Sequence, residues 1–216
     1  MMKALKVCCL QSYQEASDAL AAGADFLGFV AEGTGDWGPI AIDQVREIIA
    51  ALPPGAPTVV LTSQRDPEAI ADCTRHCRPH AIQLTNGLDG SLAALVERLR
   101  PTKVFFTVHM VDETAVHRAV EASEFVDAIM LDTGSPSADR PVLGATGRVH
   151  DWSLSARVVA ASRSPVFLAG GIRSSNLKAA LDTVQPHGID VASGVRAERV
   201  LQPQTVREFV QILRAD

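Results

Sequence analysis

The sequence predicts a single (β/α)8 barrel, a closed parallel sheet wrapped by helices, and three observations carry that prediction. Short apolar runs alternate with longer amphipathic stretches along the whole chain, the pattern of strands buried on both faces followed by helices buried on one. The alternation occurs eight times in 216 residues, about 27 residues per unit, and eight is the count that closes a parallel barrel with short connections. No Pro-, Ser- or Gly-rich linker interrupts the pattern, so residues 1–216 read as one domain.

The first run, Ala4-Leu5-Lys6-Val7-Cys8, precedes a helix expected at about 13–22, with Ser12 as its N-cap and Gly23 at its C-terminal stop. Asp25-Phe26-Leu27-Gly28-Phe29-Val30 is the second strand; a glycine-rich loop over about 31–40 leads to a helix at about 42–52, closed by Pro53-Pro54. Thr58-Val59-Val60-Leu61-Thr62 is followed by a helix at about 67–77, with Asp66 as cap and Pro67 at the first helical position. Ala81-Ile82-Gln83-Leu84 precedes a helix at about 91–99, and a strand over 103–108 precedes one at 113–122. The sixth strand, 126–131, opens into a long loop reaching Asp151 and a helix ending near 161. Val166-Phe167-Leu168-Ala169 leads through Gly170-Gly171 to a helix at about 175–183, and Ile189-Asp190-Val191 leads through Ser193-Gly194 to the last helix, about 204–214. The competing arrangement, an open doubly wound sheet, usually has fewer strands and wants a glycine-rich turn after the first one; Cys8-Cys9-Leu10-Gln11 is not such a turn.

Composition narrows the function classes. Apolar residues make up 47% and charged residues 21%, ordinary for a globular chain with a sizeable core. A net charge of −5, without any long run of Lys or Arg, argues against a nucleic-acid partner. No apolar run reaches the roughly 20 residues of a membrane helix, and no signal-peptide pattern follows Met1, so a cytoplasmic protein is expected, as a monomer or a homodimer. Cys8, Cys9, Cys73 and Cys77 then read as free thiols. Cys73, His76, Cys77 and His80 have a zinc-like density, but on a helix 73 and 77 share a face that 76 and 80 leave, so no metal is expected.

In a barrel, catalytic groups sit where the strands' carboxyl ends open onto one face. Reactive residues fall there: Cys8 closing strand one, Gln83 and Thr85 at strand four, His109 after strand five, Asp132 closing strand six. So do three glycine-bearing stretches, Gly144-Ala145-Thr146-Gly147, Ala169-Gly170-Gly171 and Ala192-Ser193-Gly194. Glycine lets backbone N–H groups approach an anion, and a helix N-terminus adds favourable partial charge. Gly147, Gly170, Gly171, Ser193 and Gly194 are therefore candidate phosphate ligands, with Gln83, Thr146 and Arg173 as further substrate contacts. A phosphate anchored at the last strands places a sugar where a thiolate (Cys8) and a carboxylic acid (Asp132) could work as an acid–base pair.

At these residues the chain resembles the phosphoribosylanthranilate isomerase family. The resemblance runs through Lys6-Val7-Cys8, the stretch from Ala21 to Val30, Ile82-Gln83-Leu84, Met130-Leu131-Asp132, Gly144-Ala145-Thr146-Gly147 with His150-Asp151-Trp152, Leu168-Ala169-Gly170-Gly171-Ile172 with Asn176, and Asp190-Val191-Ala192-Ser193-Gly194-Val195. It implies a (β/α)8 barrel of tryptophan biosynthesis that takes a phosphorylated small molecule, needs no metal or organic cofactor, and performs an Amadori rearrangement. It implies Cys8 as the general base at C2′, Asp132 as the general acid at the ring oxygen, and the glycine stretches as the phosphate grip.

The departures from that pattern are specific. Cys9 stands where the family has glycine. The loop after strand two reads Gly35-Asp36-Trp37-Gly38-Pro39 and lacks the Arg that clamps the anthranilate carboxylate, a loss of about 2–5 kcal/mol of recognition. Gln-Leu-His becomes Gln83-Leu84-Thr85, Gly-Val-Glu becomes Gly194-Val195-Arg196, and the Pro-Gly segment that should follow is absent. Two alternatives therefore stand beside the isomerase: a divergent paralogue acting on another phosphorylated sugar or amine, with Arg148, Arg173 or Arg196 as a replacement cation, and a non-catalytic binder of phosphate ligands.

Overall fold

A computed structural model describes residues 2–31, 38–133 and 150–215. Eight parallel strands form the barrel: β1 (Ala4–Val7), β2 (Phe26–Ala31), β3 (Thr58–Thr62), β4 (Ala81–Leu84), β5 (Lys103–His109), β6 (Ala128–Asp132), β7 (Val166–Leu168) and β8 (Gly188–Val191). Each pairs with the next, and β1 pairs with both β2 and β8, so the sheet closes on itself. That closure rules out the open doubly wound alternative. The helices are α1 (Tyr13–Ala21), α2 (Ile42–Ala51), α3 (Pro67–Cys77), α4 (Leu92–Leu99), α5 (Glu113–Ala122), α6 (Trp152–Ala161), α7 (Ser174–Val184) and α8 (Pro203–Arg214). Among the described residues no helix is long and apolar enough to cross a membrane.

Local chemistry accounts for the boundaries. The side-chain oxygens of Ser12, Asp66, Ser91, Asp112 and Asp151 accept from free N–H groups at the starts of α1, α3, α4, α5 and α6, each worth about 1 kcal/mol. Gly23, at φ +102, ends α1, as its position in the sequence predicts. Strand β1 stops one residue before the sequence pattern suggests, because the chain turns at Cys9, whose φ is +61.

Two apolar layers hold the barrel. The larger lies between the sheet and the helices and includes Leu5, Leu27, Val60, Ile82, Ile129, Leu168 and Ile189 against Val45, Ile70, Leu95, Leu177 and Phe209. The smaller fills the barrel itself, with Val59, Leu61, Ala81, Phe105, Ala128, Met130 and Phe167. Phe26, Phe105 and Phe167 pack ring to ring at 5.7–6.2 Å between centroids. A Cβ at Gly188 would overlap the Phe167 ring, so the glycine at the start of β8 makes room for this plug. The plug closes the interior toward the amino ends of the strands and leaves polar side chains to the carboxyl ends.

Candidate active site

Because side chains alternate along a strand, residues two apart from the apolar plug also face inward. Lys6 and Cys8 follow Ala4, Gly28 follows Phe26, Gln83 follows Ala81, Thr107 and His109 follow Phe105, Asp132 follows Met130, and Asp190 follows Gly188. The fold thus gathers the two catalytic candidates, Cys8 and Asp132, into one polar layer at the barrel mouth, together with a buried pair that the sequence pattern had not singled out.

That pair is Lys6 and Asp190. Lys6 is 0% exposed, and its Nζ lies 2.9 Å from both carboxylate oxygens of Asp190. Burial alone would push the ammonium toward its neutral form, but Asp190, with Cys8 beside it, overcomes this and holds the Lys6 pKa above its ordinary value. Cys8 is 6% exposed. Its thiol is pulled below the ordinary range, first by a hydrogen bond from the Cys9 thiol and then by the Lys6 ammonium, against burial, while Cys9 is pushed well up and stays protonated. The cation near Cys8 is therefore a buried lysine. Strand alternation was the available signal: a lysine and an aspartate within two-sided apolar strands must each find a partner.

Cys9 occupies the left-handed region that glycine enters freely, and there an L side chain is strained by about 1–2 kcal/mol. Its carbonyl is tied down: the Arg196 Nη2 donates to it at 2.8 Å, and Nη1 pairs with Glu15 at 2.9 Å. The Arg196 side chain is 2% exposed. Two departures from the family pattern, Cys9 and Arg196, thus meet in space, and Arg196 is committed to the turn after β1. This corrects its reading as a replacement cation for substrate.

Asp132 ends β6, half-buried at the rim, with its Oδ1 accepting from the Thr133 N–H at 2.7 Å. Burial pushes its carboxyl pKa up, opposed by His109 and the Thr133 amide. His109 Nε2 donates to the carbonyl oxygen of Thr85 at 3.3 Å, and its Nδ1 is buried without a partner among the described residues. Thr133 Oγ meets His150 Nδ1 at 2.9 Å, and His150 Nε2 meets Ser155 Oγ at 2.6 Å. Burial lowers the His150 pKa to about 4. A Cβ at Gly170 would overlap Thr133, so the β7 loop packs directly on the residue beside Asp132.

The glycine loops after β7 and β8 come together as well. Gly170 and Gly171 have φ values of +81 and +68, a backbone that glycine adopts without strain. Asn176, in the first turn of α7, accepts from the Arg173 N–H at 2.8 Å and donates to the Gly171 carbonyl at 3.0 Å, holding that loop against the helix N-terminus. Ser193 and Gly194 form a 3-10 turn after β8, and a Cβ at Gly194 would overlap the Ile172 carbonyl, so the two loops touch. Gln83 is 4% exposed; its Nε2 donates to Thr107 Oγ at 3.0 Å and its Oε1 has no partner among the described residues. Arg173 is exposed at the start of α7. Thr146, Gly147, Arg148 and residues 35–37 of the loop after β2 lie outside the described residues. Cys73 and Cys77 are buried free thiols packed under α2, where Cys77 Sγ meets the Ile42 carbonyl at 3.8 Å.

Comparison with known proteins finds similarity along nearly the whole chain. A family model described as N-(5'-phosphoribosyl)anthranilate (PRA) isomerase matches residues 5–212. The chain is 38% identical to the N-(5'-phosphoribosyl)anthranilate isomerase of Haloferax volcanii over 97% of this chain and 92% of that one. It is 32% identical to the protein of the same name from Methanothrix thermoacetophila, over 99% of both. The crystal structure of phosphoribosyl anthranilate isomerase from Thermotoga maritima superimposes with a TM-score of 0.81 at 27% identity, over 99% of both chains.

Proposed function

The chain belongs to the N-(5'-phosphoribosyl)anthranilate isomerase family, and from that premise we propose that it catalyses the Amadori rearrangement of N-(5'-phosphoribosyl)anthranilate in tryptophan biosynthesis, with Cys8 as base and Asp132 as acid. The observation that carries the assignment is geometric: Cys8, just past the end of β1, and Asp132, at the end of β6, face the same barrel mouth as the touching glycine loops after β7 and β8, and their surroundings pull the thiol pKa down and push the carboxyl pKa up. Shifts in those directions suit an acid–base pair working near neutrality, since an unperturbed thiol is protonated and an unperturbed carboxyl ionised.

The chemistry follows from the positions. The protonated Asp132 gives its proton to the ring oxygen as the bond from C1′ to that oxygen breaks, the nitrogen lone pair moving in to make an iminium. The Cys8 thiolate then takes the proton from C2′, and the released electron pair forms the C1′–C2′ double bond and returns charge to nitrogen. The resulting enol tautomerises to the ketose by gaining a proton at C1′ and losing one from the C2′ hydroxyl. Gly170, Gly171, Ser193 and Gly194 supply backbone amides to the phosphate beside the N-terminus of α7, with Gly147 as a further phosphate ligand and Thr146 as a substrate contact expected from the sequence. Gln83 offers its amide to the sugar from inside the barrel, and Arg173 stands at the rim near the phosphate.

Freshly generated phosphoribosylanthranilate is the substrate for the test. Cys8→Ala and Asp132→Asn should each lower kcat by about 10²–10⁴-fold with the fold retained. Equal turnover by all three proteins would remove the assignment. Phosphosugar binding without turnover by the unsubstituted chain would instead favour a non-catalytic binder.

A further inference from the structure

We infer that Lys6, clamped by Asp190, is the positioning residue that stabilises the Cys8 thiolate and sets its direction, an inference that rests on the reading of Cys8 as the base. Lys6 and Cys8 are two residues apart in chain order, so both project into the barrel, one layer apart. A lysine with no exposure keeps its charge only when paired, and Asp190 supplies the pairing with both oxygens at 2.9 Å. An ammonium carries three donors, and Asp190 lies to one side of it, on β8.

Gly28 shows what lies on the other side. A Cβ at that position on β2 would stand 2.9 Å from Cys8 Sγ and 3.1 Å from Lys6 Nζ. The sulfur and the ammonium therefore share the notch that the missing side chain leaves, and any larger residue there would force one of them out. The charges facing Cys8 are few among the described residues: Lys6 and Cys9 from its own segment, Asp190 from β8, and Arg196 with its partner Glu15 behind the carbonyls of residues 8 and 9. Of these, Lys6 is the buried cation that borders the same notch as the thiol. The Lys6 and Cys8 acidities move as such a pairing requires, the ammonium held and the thiol lowered. Asp132 also feels Lys6 and Asp190, so the one buried pair lies within electrostatic reach of both groups of the reaction.

The test is a titration of Cys8 by its ultraviolet thiolate absorbance, taken as the difference between each protein and its Cys8→Ser counterpart. The proteins are the full chain, Asp190→Asn, and Lys6→Met/Asp190→Asn, with circular dichroism to establish that each is folded. Replacing Asp190 alone frees the ammonium to turn toward the thiolate, and the midpoint should fall. Replacing both removes the cation without stranding a charge, and the midpoint should rise by about one unit or more, with kcat/KM at neutral pH falling about tenfold or more. A folded double variant that titrates like its parent, with the parent turning over phosphoribosylanthranilate, would overturn the role of Lys6. Absence of turnover by the parent would overturn the assignment of Cys8 itself, whatever the titration shows.

Discussion

The two sides of the barrel mouth surround their candidate catalytic groups with different physics. On the β1–β8 side, Cys8 sits among charges and thiols: the Lys6–Asp190 pair, the Cys9 thiol, and Arg196 holding the turn from outside. Direct interactions outweigh burial there, and the thiol moves down. On the β5–β6 side, Asp132 is flanked by a histidine whose Nδ1 has no partner among the described residues, a threonine and the neutral His150. Burial outweighs the few donors, and the carboxyl moves up. Removal from water opposes ionisation of both groups, so their opposite shifts come from what surrounds each one and not from depth alone.

The largest expected effect breaks the charged side. Lys6→Met strands a buried carboxylate and should cost about 3–5 kcal/mol in a urea melt, whereas Lys6→Met/Asp190→Leu should recover most of it, because an apolar pair of similar volume leaves no charge behind. A double variant as unstable as the single one would mean that packing, not charge, dominates there.

The neutral side should respond instead to acid. The folded-state pKa of His150 is depressed from 6.5 to about 4, so its stabilising contribution is complete above 6.5 and is lost as the pH falls from there toward 4, where the unfolded chain binds a proton that the folded chain refuses. The loss over that window amounts to up to about 3 kcal/mol. His150→Gln should flatten the stability profile between about pH 7 and pH 4; an unchanged slope would assign it to other groups.

The smallest effect sharpens the comparison at one atom. Gly28→Ala should cost about 1–3 kcal/mol by overpacking against Cys8 and Lys6, and it should lower kcat while leaving the His150-dependent acid transition where it was. A shift in that transition would show that the two sides do not respond separately.

Much of this was readable in the chain. Strand and helix periodicity, Ser and Asp caps and glycine stops placed the elements to within a residue or two, because these are local preferences that each segment carries with it. Cys8 and Asp132 were legible since each ends an apolar run at the functional rim. Lys6 was not singled out, although it stands within the first strand, because a lysine in a short run reads as ordinary until its partner is known. Cys9 and Arg196 read as two separate departures, yet they are one arrangement: a strained turn whose carbonyl is held by a buried guanidinium.

The order of residues alone determined the repeating unit, its number and which side chains reach the carboxyl ends of the strands, since alternation and helical period act over a few neighbours. Only tertiary structure decided which of those side chains meet. Lys6 and Asp190 lie 184 positions apart and become neighbours because β8 closes against β1. With that closure the lysine is sealed from water and must keep its charge through a partner, and the thiol beside it acquires a cation that no local pattern encodes.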